Sequence, residues 1–456
     1  MNSSTKNKER MKPKHIIRIF CIGVTLAGVI PMQAQHIYTL QSCLEEGLQN
    51  NYSLRIVRND EQVAHNNATI ANAGYLPTLD LSAGYSGSLD NTDTRQRATG
   101  ETVSENGVFD QTINAGLSLN WTIFDGLGIQ TNYKKLKELE RQGETQTRIA
   151  IENFIADLSA EYYNFVQQKI RLKNLRYAVS LSRERLRIVE ARYNIGSFSR
   201  LDLQQARVDF NADQASFIKQ QELLHTSRIR LNQLMAVRDM NGPVIVKDTL
   251  IIPNTMLRFE QLWNSTLRTN ASLLRAEQNQ TLAKLDQKAV LSRNYPYVKA
   301  NAGYGYTHNK YEMGANKSRD NLGLNFGVTV GINLFNGNKR RESRNARIAI
   351  ENARLEREEL EQSLRADLMN LWQAYQNNLD LLQLERDNLI AARDNYEIAR
   401  DRYLLGDLSG IEMREAQKSL LDAEERILSA EYDTKMCEIS LLQISGGITD
   451  YLGSRW

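Results

Sequence analysis

Four segments of this chain alternate apolar and polar residues with a period of two, and that pattern limits the fold more than any other feature. Within residues 113–123, INAGLSLNWTI, the apolar set Ile113, Ala115, Leu117, Leu119, Trp121 and Ile123 opposes Asn114, Gly116, Ser118, Asn120 and Thr122. Residues 79–86, 298–306 and 322–334 alternate in the same way. Such runs are about as long as a tilted strand needs to cross a bilayer, ~9–11 residues. Residues 88–112 and 307–321 between them are polar and read as external loops. A soluble sandwich also alternates. The length, the unbroken apolar face and an opposite face of small polar residues suited to a wet lumen favour a membrane barrel. Four strands cannot close such a barrel, because the smallest use about eight. An open edge in lipid leaves backbone groups unpaired. Several chains must therefore share one wall: two give eight strands, three give twelve. Aromatic residues cluster at the segment ends, at Trp121, Phe124, Tyr295, Tyr297 and Phe335, as ring side chains do at membrane–water boundaries.

The chain also repeats itself. Pro77, Gly84 and Tyr85 recur as Pro296, Gly303 and Tyr304, and Phe124 and Gly126 recur as Phe335 and Gly337. Arg192, Tyr193, Gly196, Ser199 and Ala206 recur as Arg402, Tyr403, Gly406, Ser409 and Ala416. Units of this size indicate duplication rather than a solenoid of short repeats. The first unit spans 35–240, with a helix, a strand pair at 78–124 and a long helical hairpin at 127–236. A linker at 241–255 opens with turn residues and carries the β-like run Val244–Val246. The second unit, 256–446, repeats the order with strands at 297–335 and a hairpin at 338–445, followed by a tail at 447–456.

Each hairpin is very long. Neither Gly nor Pro occurs from Asn338 to Leu405, and apolar residues recur there at three- and four-residue spacing. Such a helix reaches roughly 100 Å and packs its seam side by side with neighbours. Gly406 follows it and suits the left-handed residue that ends a helix. Ser409-Gly410-Ile411-Glu412 then has the spacing of a capping box. Gly196 and Ser199-Arg200-Leu201-Asp202 repeat the arrangement, so both corners are tight hairpin tips. Gly196, Gly406, Ser199 and Ser409 are explained by turning and capping. Phe198 and Leu408 are not, because an apolar side chain at a solvated corner wants a partner.

The first 34 residues read as a secretory signal peptide: Lys12, Lys14 and Arg18 precede an apolar run, and Met32-Gln33-Ala34 resembles a cleavage site. Removing them takes six basic residues and one acidic residue, moving the net charge from +3 to −2. No nucleic-acid partner follows from that balance. Cys21 leaves with the leader. Cys43 and Cys437 are expected as two buried thiols, although an oxidising compartment also permits a pair. No later stretch reaches the ~18 apolar residues of a spanning helix. The five histidines are scattered, and no metal spacing, nucleophile elbow or phosphate loop appears, so an enzyme, a cofactor and a metal site are not expected.

Together these features resemble the TolC-like outer membrane efflux family. The carriers are Tyr75-Leu76-Pro77, Ile123-Phe124-Asp125-Gly126, Leu334-Phe335-Asn336-Gly337 and the two Tyr-x-x-Gly tips. The resemblance implies an α+β membrane protein. Three chains, contributing four strands each, would build a twelve-stranded outer-membrane barrel continued by an antiparallel α-helical barrel through the periplasm. It further implies an exit duct of a tripartite efflux or type I secretion system, with a periplasmic adaptor and an inner-membrane transporter as partners. The adaptor would meet Ile195, Gly196, Ser197, Phe198 and Ser199 on the first tip, and Leu405, Gly406, Asp407, Leu408 and Ser409 on the second. Acidic rings near the tips would fall at Asp202, Glu412 and Glu415. Asp202 and Glu412 are equally well read as caps, whereas Glu415 has no such local duty and Gln205 stands in its place in the first unit. A salt-bridge lock at the second corner would fall to Arg200 or Arg414. The competing reading is a soluble coiled-coil envelope scaffold, which leaves the alternating strands unexplained. Cargo is not legible in the sequence.

Overall fold

The computed structural model describes residues 37–95, 97, 100–313 and 316–452. The expected leader and Cys21 lie outside them. A short strand β1 (Ile37–Tyr38) leads into helices α1 (Leu40–Asn50), α2 (Tyr52–Asn67) and α3 (Ile70–Ala73). Strands β2 (Thr78–Arg95) and β3 (Thr102–Phe124) follow, then helices α4 (Gly128–Asn194) and α5 (Arg200–Met235). Strand β4 (Ile245–Val246) lies in the linker and pairs in parallel with β1. Helices α6 (Phe259–Thr269) and α7 (Ala271–Ser292), strands β5 (Tyr297–Lys310) and β6 (Ser318–Gly331), and helices α8 (Gly337–Leu405) and α9 (Gly410–Ile444) complete the second half. A 3-10 turn at Ile448–Leu452 closes the described chain. Both halves thus run through helices, a strand pair and a helical hairpin in the same order.

The four long strands form one antiparallel sheet in the order β2-β3-β5-β6. Its apolar face is bare: Leu81, Leu324, Val328 and Val330 are exposed, and Phe326 is 82 % exposed. These side chains are not folded into the interior of the chain, as those of a soluble sandwich are. On the other face, asparagine amides lie across glycines of the neighbouring strand. A Cβ at Gly84 would stand 2.5 Å from Asn114 Oδ1, and one at Gly303 would stand 2.4 Å from Asn325 Oδ1. Glycine at these positions makes room for the asparagine amides.

Two strand expectations are corrected. The first hairpin does not become a loop at residue 88: β2 and β3 stay paired from Thr78↔Asn120 to Arg95↔Thr102, with an irregularity between Asp90 and Thr92. Past Leu89 both faces are polar, so the alternation disappears while the backbone still pairs. The second loop is likewise shorter than 307–321, because β5 runs to Lys310 and β6 begins at Ser318. At the other end, β6 stops at Gly331 rather than Leu334. Its partner β5 begins opposite Gly331, at Tyr297, so Ile332–Leu334 have no strand to pair with among the described residues. The outer edges of β2 and β6 are both free of strand partners among the described residues.

The two helical hairpins run Gly128–Asn194 with Arg200–Met235 and Gly337–Leu405 with Gly410–Ile444. Helix α4 is the hub, packing on α5 and α9 toward the tips and on α2 and α7 toward the sheet. The largest core lies at the level of the linker, where Phe154, Leu158, Tyr162 and Val166 of α4 meet Leu44 and Leu48 of α1, Leu231 of α5 and Ile448. The residues from Ile448 to Leu452 are therefore no loose tail. Tyr162 Oη donates to Asp248 Oδ2 at 2.8 Å, and Asn254 N donates to Glu438 Oε2 at 2.7 Å, fixing the middle and the far end of the linker. Cys43 is buried in this core and Cys437 is half-buried on α9; both are free thiols. Among the described residues, no helix is long and apolar enough to cross a membrane.

Candidate functional site: the paired hairpin tips

Both tips use one backbone solution. Gly196 (φ +77°) and Gly406 (φ +92°) take the left-handed conformation. Ser197 N donates to Arg192 O at 2.9 Å and Asp407 N to Arg402 O at 3.0 Å, closing the last turns of α4 and α8. The next helices start with reciprocal caps. Asp202 N donates to Ser199 Oγ at 3.2 Å while Ser199 N donates to Asp202 Oδ2 at 2.9 Å. Glu412 N and Ser409 N repeat the exchange at 3.2 and 3.0 Å. The Ser199 and Ser409 hydroxyls, and after them the same residues' amides, hold the Asp202 and Glu412 carboxyls below their ordinary range. Both acids thus serve as caps. Glu415, one turn on, is exposed and has no partner among the described residues.

Phe198 and Leu408 do not project into solvent. Phe198 packs on its own hairpin with Val189 and Leu203, and Leu408 packs on the cluster of Tyr396, Tyr403, Met413 and Leu420. The sequence treats both as unpartnered because their partners lie across the turn, in residues that local spacing does not bring together. The bare apolar side chains at the tips are instead Ile195 (80 % exposed), Leu201, Leu405 (79 %) and Ile411.

Two arginines tie the tips together, running in opposite directions. Arg192 of α4 stands over the Phe198 ring at 5.2 Å and the Tyr403 ring at 5.5 Å, and donates to Leu404 O at 3.2 Å. A cation at those carbonyls also complements the C-terminal end of α8. Arg414 of α9 makes a two-pronged bond to Asp213 of α5 at 2.7 and 2.8 Å. Of the two lock candidates, Arg414 is paired and Arg200 makes no ion pair among the described residues. Between the tips lies a cavity of about 440 Å³, walled by Arg192, Phe198, Asp202, Tyr403, Asp407 and Ile411. Arg192 stands out in the sequence only as a repeated position and Asp213 not at all, since each acts on the other hairpin.

The free edges of the helical bundle match each other. On α5, Leu201, Val208 and Ala215 are exposed at seven-residue spacing. On α8, Leu405, Ile398 and Ala391 are exposed at the same spacing. Leu201 lies in the first turn of α5 and Leu405 in the last turn of α8, so the stripes begin at the same end and climb in step.

At the junction of sheet and helices, Trp121 Nε1 donates to Tyr75 O at 2.9 Å. A bulge between Thr122 and Phe124 brings Phe124 opposite Val298 and so onto the apolar face with Trp121. Tyr295 and Phe335 are exposed beside them. Tyr297 departs from the expectation. The register places it with Lys299 on the polar face, and its ring covers Gly331. The alternation of 298–306, extended by one residue, gives the same face; its place at a strand end alone does not.

Comparison with known proteins agrees with this architecture. The model of the family described as outer membrane efflux protein matches residues 43–237 and 262–447. Outer membrane protein TolC of Vibrio cholerae serotype O1 is 20 % identical over 420 residues, covering 90 % of this chain and 91 % of that protein. Outer membrane efflux protein BepC of Brucella suis biovar 1 is 23 % identical over 445 residues, covering 94 % and 91 %. Among solved structures, the Campylobacter jejuni CmeC outer membrane channel superposes with a TM-score of 0.73 at 17 % identity, covering 90 % of this chain and 85 % of that one.

Proposed function

Since this chain belongs to the outer membrane efflux protein family, we propose that three copies close a twelve-stranded barrel and a helical tunnel, forming the exit duct of a tripartite pump or type I secretion system. The protein is an outer-membrane efflux channel rather than an enzyme, and a soluble scaffold is set aside by that membership. The single observation that carries the ring is the pair of free sheet edges beside a bare apolar face. In lipid, each unpaired edge group costs several kcal/mol, of order 2–7 in an apolar medium, so edge must meet edge of another copy. The stripes on α5 and α8 supply a second seam of the same kind, Leu201 against Leu405 and Val208 against Ile398. The matching order of elements in the two halves supports an internal duplication.

Closing that seam covers Leu201 and Leu405 and leaves Ile195 and Ile411 bare around the rim. There the periplasmic adaptor docks, with the inner-membrane transporter behind it. The turn residues Gly196, Ser197, Ser199, Gly406, Asp407 and Ser409 present backbone to it. Glu415 lines the narrowest part with one carboxylate per copy, and Asp202 and Glu412 flank it while capping their helices. A ring of like charge favours cations. Cysteines placed together at Leu201 and Leu405 test the ring: oxidation in membranes yields a covalent trimer. Recovery of monomers only, with no conductance in planar bilayers, rules the duct out. Glu415→Ala shifts the reversal potential toward weaker cation preference; an unchanged potential removes Glu415 from the constriction.

A further inference from the structure

Midway up the first hairpin, roughly 45 Å above its tip at 1.5 Å per residue, the described structure holds a cavity unlike the others. It measures about 330 Å³ and lies where α4, α5 and the linker meet. Phe165 and Leu172 of α4, Leu224 of α5 and Val244 of the linker form an apolar floor. Lys169, His225 and Arg228 stand around it, and no carboxylate lines it.

Elsewhere on this helix pair several cations meet rings or carboxylates, Arg176 lying over Phe217 and Arg183 over Phe210. Arg185 is bonded to Asp209, Arg171 to Glu425 and Arg230 to Glu161. Arg228 has no acidic partner among the described residues, and its Nε is buried with no acceptor. Lys169 Nζ donates to Val246 O at 3.2 Å, which leaves the ammonium without a counter-charge. An unpaired cation beside an apolar surface loses hydration and gains nothing in return, unless an anion arrives. A guanidinium in that setting presents two parallel donors that suit a carboxylate. The volume falls at the low end of small-ligand pockets, ~300–1,000 Å³, and suits a chain-like small molecule better than the helix of a docking protein.

We infer that this cavity binds a single-chain amphipathic carboxylate, its head held by Arg228 and Lys169 and its alkyl chain laid over Phe165, Leu172, Leu224 and Val244. The residues that form it all come from one chain and lie away from the tips. Decanoate titrated calorimetrically into the full chain in lipid nanodiscs, with empty nanodiscs subtracted, tests it. Saturable binding of one decanoate per chain is expected. Decanol, with the same chain and no charge, binds about tenfold more weakly, and Arg228→Gln weakens decanoate by about tenfold, the size of a lost charge-assisted bond. Leu224→Asn lowers the affinity for both ligands. Equal affinities for decanoate and decanol on the unaltered chain overturn the proposal without any variant having to fold. So does saturable decanoate binding that Arg228→Gln and Lys169→Met both leave unchanged, or no saturable binding at all.

Discussion

The two hairpin tips share a backbone and differ in what fills it. Both end a helix on a left-handed glycine and start the next on a serine cap. Behind the second cap lies an apolar cluster of Tyr396, Ala399, Tyr403, Met413, Ala416 and Leu420. Behind the first there are three buried apolar residues, Val189, Leu203 and Ala206, and the cross-helix work passes to Arg185 with Asp209 and Arg207 with Glu190. Ion pairs hold a distance but resist shear less than interlocked side chains do. The second tip is therefore a rigid element, and the first is steadied by leaning on it through Arg192 and Arg414.

The largest expected effect separates the two fillings. Tyr403→Ala empties the centre of the second cluster and removes the ring under Arg192, at a cost of about 3–5 kcal/mol. Hydrogen exchange should show lost amide protection over residues 396–420 and, through Arg192, at the first tip as well. Val189→Ala should cost roughly half as much and stay local. Equal spread from both variants breaks the picture of one tip leaning on the other.

Next comes the cross-link itself. Asp213→Ala strands the Arg414 guanidinium between α5 and α9, for about 2–3 kcal/mol, less than a fully buried pair because Arg414 keeps some solvent contact. The tips should separate, read as a longer spin-label distance between the hairpins and a larger single-channel conductance. A double-mutant cycle with Arg414→Ala shows whether the coupling belongs to this pair. The glycines should behave alike. Gly196→Ala and Gly406→Ala meet no steric obstacle, so each costs only the left-handed backbone, about 1–2 kcal/mol. Unequal losses in chemical denaturation mean the backbones are less equivalent than their bonds suggest.

The smallest effect is acid fraying. Asp202 and Glu412 have depressed pKa values, so their capping is whole above the ordinary carboxylate range and is lost as the pH falls through the depressed values. Amide exchange at Ser199 and Ser409 should rise together below about pH 4. Asp202→Asn and Glu412→Gln should flatten that rise at their own tip only. One tip fraying well before the other sharpens the contrast between them.

Much of this was legible in the sequence because it is written in local spacing. Period-two alternation located the strands, the absence of Gly and Pro in 338–405 located the second long helix, and Ser-x-x-Asp and Ser-x-x-Glu located the caps. What stayed hidden was whatever depends on a second segment. Thr92 to Thr94 pair in β2 without alternating, because only a partner strand makes them extended. Asp213 carries no local pattern and Arg192 shows only as a repeated position, since their contacts lie on the other hairpin. Phe198 looked bare because its neighbours, Val189 and Leu203, approach it only once the turn has closed. Tyr297 shares the parity of Lys299 in the sequence, but that its ring covers Gly331 depends on the neighbouring strand.

The unpaired borders of β2 and β6 have a genetic consequence. A chain whose β6 border is spoiled, by a proline at Val328 for instance, still offers a sound β2 border and so enters shared assemblies, ending each one it joins. Expressed beside the intact gene, such an allele acts as a dominant poison. In the proposed ring of three, surviving export would then fall as the third power of the intact fraction.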